Sequence, residues 1–429
     1  MDKAMVFPRY ESYRDSSFDW LRDIPSDWKL QRLATVFEER KEKVSDKDFP
    51  PLSVTKNGVV PQLDSAAKSD DGDNRKGVRE GDFVINSRSD RKGSSGIAKQ
   101  DGSVSLINIV LKPKGIAPRY SEHLLKSNGF IEEFYRNGHG IVADLWTTRY
   151  WDMKSIHIPL PDMATQERIA NFLDQKTAEI DEAIAKKQRL IELLKEQKTI
   201  LINQAVTKGL NPDVPMRDSG VDWIGEVPEH WDVKKIKHLV TFVSGGTPSK
   251  DNIDYWGGDI PWVSPKDMKI RYLSSAIDGI TEKAVKRTSI KLLDPGCVLI
   301  VVRGMILAKK VPVAISAVPL TINQDMKAMI PSVGCLPEYL LFLLDGLHEE
   351  LSTLLEESGH GTKTLPTDKL GNFSILLPPP EEQAEIISHI KDLDSHFDHT
   401  VSLVQEQIQH IDEMKRVIIS EAVTGKIKL

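Results

Sequence analysis

The chain has 429 residues, an apolar share of 40%, a charged share of 28% and a net charge of −6, the make-up of a folded protein with two or more domains. No apolar run approaches the roughly 20 residues of a membrane span, the opening MDKAMVFPRYESYRD lacks the apolar core of a secretory leader, and two cysteines are too few for a disulfide framework or a cysteine metal site. A cytoplasmic location with no membrane partner is expected, with Cys297 and Cys335 as free, buried thiols. The acidic balance argues against electrostatic nucleic-acid binding by the chain as a whole, yet leaves local basic surfaces open.

The first segment carries Arg14-Asp15-Ser16, Asp19-Trp20 and Ile24-Pro25-Ser26-Asp27-Trp28. The same phrase returns 203 positions on as Arg217-Asp218-Ser219, Asp222-Trp223 and Val227-Pro228-Glu229-His230-Trp231. Each copy continues into a short amphipathic run, Leu30 to Glu38 and Val233 to Val243. Two tryptophans, a proline and a triplet in one register define an internal repeat.

Residues 50–155 read as a mixed α/β globule. Asp82 to Ile85, introduced by Gly81, and Val104 to Ile107 have strand character. Ser121 to Tyr135 reads as a helix with Ser121 as N-cap. In the second globule the matching strands are Cys297 to Val302, after Pro295-Gly296, and Val311 to Ser316, followed by a helix from Pro337 to about Leu355. Gly81 pairs with Gly296, Arg88 with Arg303, and Gly138-His139-Gly140 with Gly359-His360-Gly361. The globules diverge in sequence far more than the segments around them.

Thr165 to Val206 is a long amphipathic helix. Leu173, Ile180, Ile184, Ile191, Leu194, Leu201 and Ala205 fall on steps of three and four, which places them on one stripe. Moved by 217 positions they become Ile390, Phe397, Val401, Ile408, Ile411, Ile418 and Ala422, all apolar, in a second helix from about Glu382 to Val423. A break in the stripe at Lys198 recurs at Lys415. Ile158-Pro159-Leu160-Pro161 and Leu377-Pro378-Pro379-Pro380 lead into the helices, as proline suits a helix start, and Gly209 marks the first one's end. Helices of about 40 residues are about 60 Å long and cannot bury their stripes alone. Each is the natural antiparallel partner of the other, giving a spacer with approximate two-fold symmetry. Two similar modules on a rigid spacer suit the reading of two separated marks on one duplex, whose faces recur about every 34–36 Å.

Reading such marks needs basic and polar side chains on loops, because arginine forks guanine, amides pair with adenine and lysine neutralises phosphate. The Gly/Ser-rich loop Asn86 to Gly96 offers Arg88, Arg91, Lys92 and Ser94. The stretch Ser244 to Lys250 offers Ser244, Gly246, Thr247 and Lys250, with backbone amides and a cation for phosphate. Arg303, Lys309, Lys310 and Lys363 are further candidates. On the helices, Ile180, Ile184, Ile191, Leu194, Phe397, Val401, Ile408 and Ile411 are the candidates for contact with partner subunits. Catalytic signatures are missing from the sequence: there is no G-x-x-x-x-G-K-[ST] loop, no G-x-G-x-x-G after a strand, no Asn-Pro-Pro-Tyr or Asp-Pro-Pro-Tyr tetrapeptide and no H-E-x-x-H. His389, His396, His399 and His410 read as surface residues of the second helix, and no metal site is expected.

Taken together, Trp20 to Trp28, Asp222 to Trp231, Ser244-Gly245-Gly246-Thr247-Pro248, Tyr255 to Trp262 and Pro378-Pro379-Pro380-Glu381-Glu382-Gln383 make the chain resemble the DNA-specificity subunit (HsdS) of type I restriction-modification enzymes. The first copy departs from the pattern: Arg22-Asp23 stands where the second has Gly225-Glu226, Pro161-Asp162-Met163 replaces the triple proline, and no Ser-Gly-Gly-Thr-Pro loop occurs near residue 45. On this resemblance the first module is expected to belong to a different recognition subclass.

The resemblance implies two tandem α/β target-recognition domains, mixed α+β in composition, and two long helices forming an antiparallel coiled coil whose length sets the gap in a bipartite, asymmetric site. The segments are a first target-recognition domain (1–157), a first helix (158–209), a second target-recognition domain (210–376) and a second helix (377–429). It further implies double-stranded DNA as ligand and, as partners, two methyltransferase subunits and motor-nuclease subunits. S-adenosylmethionine, ATP and magnesium are expected on those partners and no cofactor on this chain, a non-catalytic reader and scaffold for adenine-N6 methylation and ATP-dependent cleavage. A reader for a related type II system is a neighbouring alternative. A coiled-coil scaffold without nucleic acid would show no sequence-selective DNA retention, and a self-sufficient nuclease or methylase would show activity in the purified chain.

Overall fold

A computed structural model describes residues 7–63, 72–140, 146–358 and 362–429. The Gly359-His360-Gly361 echo lies outside them. The chain forms two compact units, one of Met1–Gln188 with Val404–Leu429 and one of Arg189–Leu403. This division cuts both long helices, which the four segments read from the sequence had each kept whole. The helices run Met163–Lys208 and Pro380–Val423, 46 and 44 residues, within a turn of the expected bounds. Pro380 opens the second, and Gly209 follows the first in a left-handed conformation with φ of 79°.

In the first unit, Phe83–Asn86 is buried along its whole length, as its run of apolar and β-branched residues requires. It lies inside an antiparallel sheet with the order Ser95–Ile97, Phe83–Asn86, Asn108–Pro113 and Phe37–Glu39. The expected strand Val104 to Ile107 is a correction: strand Gly102–Val104 ends there, and Ser105 to Ile107 turn the chain into Asn108–Pro113. The expected helix from Ser121 is two helices, Pro118–Leu125 and Asn128–Arg136. Pro118 opens the first, and the Ser121 hydroxyl donates to the Pro118 carbonyl at 2.7 Å instead of capping. Ser127 is the N-cap of the second, accepting from the Phe130 N–H.

The second unit repeats that sheet strand for strand. Its order is Val240–Ser244, Met326–Pro331, Val298–Val301 and Val313–Ser316, with Tyr272–Leu273 added parallel to the last. The repeat thus extends into the globules, where side chains diverge but the backbone ladder does not. The expected helix from Pro337 to Leu355 is broken into Pro337–Gly346 and His348–Ser352. An additional three-stranded sheet, Asp278–Ile280, Trp256–Val263 and Thr321–Ile322, stands after the Ser244 to Lys250 stretch.

Each globule closes on helix ends from both repeats. Ile169, Ala170, Leu173, Ala422 and Val423 join the core of the first unit, and Ile202, Ala205, Val206, Ile386, Ile387 and Ile390 that of the second. Buried tyrosines tie these ends in the same way. The Tyr120 hydroxyl lies 3.0 Å from the Pro159 carbonyl and 3.3 Å from that of Val423. That of Tyr339 lies 3.2 Å from the Leu376 carbonyl and 3.3 Å from that of Val206. Burial holds both phenols far above their ordinary pKa, so both remain protonated donors. The repeated phrase has the same office in both copies: Arg14 donates to the Trp28 carbonyl at 2.8 Å and Arg217 to that of Trp231 at 2.6 Å.

Inside each unit the helix segments run antiparallel. Lys415 reaches Asp181 at 2.6 Å and Lys187 reaches Gln407 at 2.7 Å in the first unit. In the second, Lys198 reaches Asp394 at 2.8 Å and Asp398 at 2.9 Å. The breaks in the stripe are therefore half-buried cations with carboxylate partners, and Asp181 and Asp398 are themselves repeat equivalents.

Candidate nucleic-acid interface

The polar cleft of the second globule is built from segments far apart in sequence. After strand Val240–Ser244 the chain passes so close to the strand end at Ile322 and Asn323 that a Cβ on Gly245 would lie 1.9 Å from the Asn323 carbonyl oxygen, so only glycine fits. Gly246 donates to the Ile322 carbonyl at 2.9 Å and accepts from the Trp262 indole at 2.8 Å. Trp256 meets Trp262 edge to face at 5.1 Å and donates to the Ser249 carbonyl at 3.1 Å. These bonds fix the loop that presents Thr247 and Lys250. They form a cleft of about 640 Å³ with Lys266, Arg303 and Gln324, and the carboxylates of Asp278 and Asp325 also line it.

The cleft brings Thr247, Lys250 and Arg303 together, and Gly246 shapes it by its backbone. Among the described residues Lys250, Lys266 and Arg303 form no ion pair, so their charges are available to an anionic ligand. Lys363 is half-buried on the strand Thr362–Thr364, paired across from Gly304 in the strand Arg303–Gly304. Ser244 accepts from Lys327 at 2.6 Å, and Lys309 is exposed outside the cleft. Lys310 lies outside the cleft: it pairs with Asp345 at 2.6 Å and lines a separate hollow of about 430 Å³ with Arg271, Lys198, Leu194, Phe397 and Val401. It serves a junction between globule and helices within that unit.

In the first globule the loop after Phe83–Asn86 makes a 3-10 turn over Ser89–Arg91 and passes through Gly93 with φ of 79°. Arg88 is exposed; its N–H donates to Asn86 Oδ1 at 3.0 Å and its carbonyl accepts from the Tyr135 hydroxyl at 3.1 Å. Burial pushes the Tyr135 phenol up to about 12, so it remains a donor across the working pH range. Arg88 shares a hollow of about 390 Å³ with Lys76, Arg149, Tyr150 and Ile107, and with the Glu39 carboxylate. Arg91 is exposed beside Asp90 at 3.6 Å. Lys92 is held by Glu132 at 2.7 Å and sits over the Tyr135 ring. Ser94 is 5% exposed, and its backbone closes the loop through Arg91 and Asn86. It supports the loop from inside and cannot reach outward.

The sequence reading passed over Lys76, Arg149, Lys266 and Gln324. Gln324 had a legible signal, an Asn-x-Asp turn between two strands. The others become neighbours of Arg88 or Arg303 only through folding.

On the helices, Ile180, Ile184, Ile191, Leu194, Val401, Ile408 and Ile411 are half-buried and Phe397 is buried. The apolar residues that face outward are others: Leu190, Leu193, Ile200, Leu403, Met414 and Val417. The stripe is thus used largely inside each unit, and the outward set is what these helix segments expose. His389, His396, His399 and His410 are exposed, as expected. Among the described residues no cluster of His, Cys, Asp or Glu could hold a metal ion, and no helix is long and apolar enough to cross a membrane. Cys297 and Cys335 are buried, and burial raises both thiols, Cys335 to about 11.

A duplicated α/β globule with a basic loop cluster in each copy, joined to long helices, defines a twin-module protein. The family described as the type I restriction modification DNA specificity domain matches residues 25–193 and 228–410, and the chain belongs to that family. It is 32% identical over 256 residues to the EcoR124I/EcoR124II type I restriction enzyme specificity subunit of Escherichia coli, covering 58% of each chain. It is 36% identical over 197 residues to the MjaIX specificity subunit of Methanocaldococcus jannaschii, covering 44% of this chain and 43% of that one. The matches thus span roughly half the length of these relatives. Among solved structures, a chain from a study of assembly and conformational transition in a type I system aligns with a TM-score of 0.69 at 16% identity, covering 94% of this chain and 99% of that one. The HsdS subunit of Thermoanaerobacter tengcongensis aligns with a TM-score of 0.54 at 17% identity, covering 96% and 100%. Both likenesses concern the fold.

Proposed function

We propose that this chain reads a bipartite DNA site for a type I restriction-modification complex, one half-site by each globule. The observation that carries the reading is one backbone frame repeated, with the Arg–Trp, Tyr–carbonyl and Lys–Asp ties in both copies, under two different sets of reading side chains. A frame held constant beneath divergent loops is what an asymmetric target requires. Family membership supports the same conclusion.

On this reading the chain is the non-catalytic member of the assembly. Two methyltransferase subunits using S-adenosylmethionine dock on the helices and modify adenine N6, taking the base out of the stack. Motor-nuclease subunits using ATP and magnesium complete the restriction complex in the cytoplasm. The unpaired cations Lys250, Lys266, Arg303 and Arg88 engage phosphates or guanine edges, while the acidic remainder of the surface limits non-specific retention.

The test is long-read methylome sequencing of cells expressing this chain with its methyltransferase subunit, beside cells with the methyltransferase alone. N6-methyladenine at one bipartite motif, only when the chain is present, is the expected result. A soluble, co-purifying complex that adds no methylation would overturn the reading. Within the same assay Arg88→Ala should weaken discrimination at one half-site by about 1–3 kcal/mol and leave the other unchanged. An equal loss at both would make Arg88 a phosphate contact or a support of the fold.

A further inference from the structure

The connections Ser105-Leu106-Ile107 and Asn323-Gln324-Asp325 occupy the same place in the two globules. Each feeds the central strand, Asn108–Pro113 or Met326–Pro331, beside Phe83–Asn86 or Val298–Val301. Each is also tied through its last carbonyl to the strand end that carries the arginine, by one backbone bond in the first globule and two in the second. Ser87 donates to the Ile107 carbonyl at 3.4 Å, and Val302 donates to the Asp325 carbonyl at 2.8 Å, one residue before Arg88 and Arg303.

Both connections are held from beneath by a buried asparagine. Asn323, 5% exposed, accepts from the Asp325 N–H at 3.1 Å, and its own N–H donates to the Val263 carbonyl at 2.9 Å. Asn108, also 5% exposed, donates through its side chain to the Ser105 hydroxyl at 3.0 Å. What each connection then exposes differs. The second presents Gln324 in the cleft, its amide oxygen accepting from the Thr247 hydroxyl. The first presents Leu106 and Ile107, 44% and 38% exposed, in the hollow beside Arg88.

We infer that these connections are one base-reading device used twice, and that Gln324 and Leu106 set the chemical difference between the half-sites. This rests on the reading of the chain as a DNA specificity subunit. An oriented glutamine has a second lone pair on Oε1 and two donors on Nε2, the pattern that pairs with adenine N6 and N7 in the major groove. A leucine offers no hydrogen bond and favours a thymine methyl. Single exposed leucines are common on protein surfaces, but this one stands on a braced turn where the repeat elsewhere places an amide, next to an unpaired arginine.

The test is selection from a random duplex library by the chain with its methyltransferase subunit, comparing the native chain with Gln324→Leu, Gln324→Glu and Leu106→Gln. Gln324→Leu should lower the preference at one adenine of one half-site by roughly 5- to 150-fold, and Gln324→Glu should move that position toward cytosine. Leu106→Gln should alter one position in the other half-site. The untouched half-site reports in every case that the protein is folded. Selected motifs identical to the native one at each position, or a preference lost evenly across both halves, would overturn the inference. A native chain that selects no bipartite motif would defeat the underlying reading instead.

Discussion

Replacing Gln383 with leucine is expected to destabilise the Arg189–Leu403 unit by about 2–4 kcal/mol. The side chain is fully buried where the second helix begins and makes three bonds of 2.8 Å: its oxygen accepts from the Leu336 N–H, and its nitrogen donates to the Gly334 and Pro378 carbonyls. Leucine fills the space yet leaves the part-buried Leu336 N–H and Gly334 carbonyl and the buried Pro378 carbonyl without this partner, and each orphaned buried group costs about 1–3 kcal/mol. Gln166 is the repeat equivalent, 1% exposed, with two such bonds, from the Ala117 N–H and to the Pro161 carbonyl. Gln166→Leu should therefore cost the first unit less. Hydrogen exchange resolved along the chain distinguishes the two, because a protein of two units does not unfold in a single transition. Unchanged exchange in the altered unit, or equal effects spread over both, would sink this account of the joint.

Those glutamines show how much was legible in the sequence. Gln166 and Gln383 stand in register after Pro161 and Pro378, so the repeat was visible while its reason was not. A glutamine beside a helix start reads as a surface residue until the globule folds over it. The helices were legible because spacing of three and four, a leading proline and a following glycine are local signals. The stripe breaks at Lys198 and Lys415 were visible too, but their partners Asp398 and Asp181 come from the opposite helix.

Inside the globules local signals misled in an understandable way. Ser121 looks like a cap because serine often is one, but Pro118 already starts the helix and the hydroxyl turns back onto it. Candidate loops were legible at Arg88, Thr247, Lys250 and Arg303, where a Gly/Ser-rich run or a strand end exposes a polar side chain. Lys92 and Lys310 looked equivalent to these in sequence. They differ because Glu132 and Asp345, distant along the chain, meet them after folding.

Asp345 supplies the second large expected effect, a loss of second-unit stability in acid. Its carboxylate is 11% exposed and lies between Lys310 at 2.6 Å and Arg271 at 2.9 Å. Arg271 pairs as well with Asp394, which Lys198 reaches at 2.8 Å. Burial alone would raise the Asp345 pKa, but Lys310 and Arg271 outweigh it and hold the group below the ordinary carboxylate value. A depressed carboxylate stabilises the fold above its unfolded pKa of about 3.9, and that contribution is lost as pH falls through the lower folded value. Asp345→Asn keeps the shape, removes the charge and leaves Arg271 and Lys310 short of a partner. At neutral pH it should cost about 1–3 kcal/mol, less than a fully buried pair because both cations are partly exposed. Native and variant stabilities of the second unit, followed from pH 7 downward by hydrogen exchange in urea resolved along the chain, should converge once Asp345 is protonated in the native chain. Curves that stay parallel to the acid limit would show that the network contributes shape and no charge. The convergence matters for function because the same aspartate sits at the end of Pro337–Gly346, the helix that carries Tyr339 to the Val206 carbonyl. Charge at Asp345 thereby steadies the seat of the second globule on its own helix segments, from which Arg303 and Gln324 are presented.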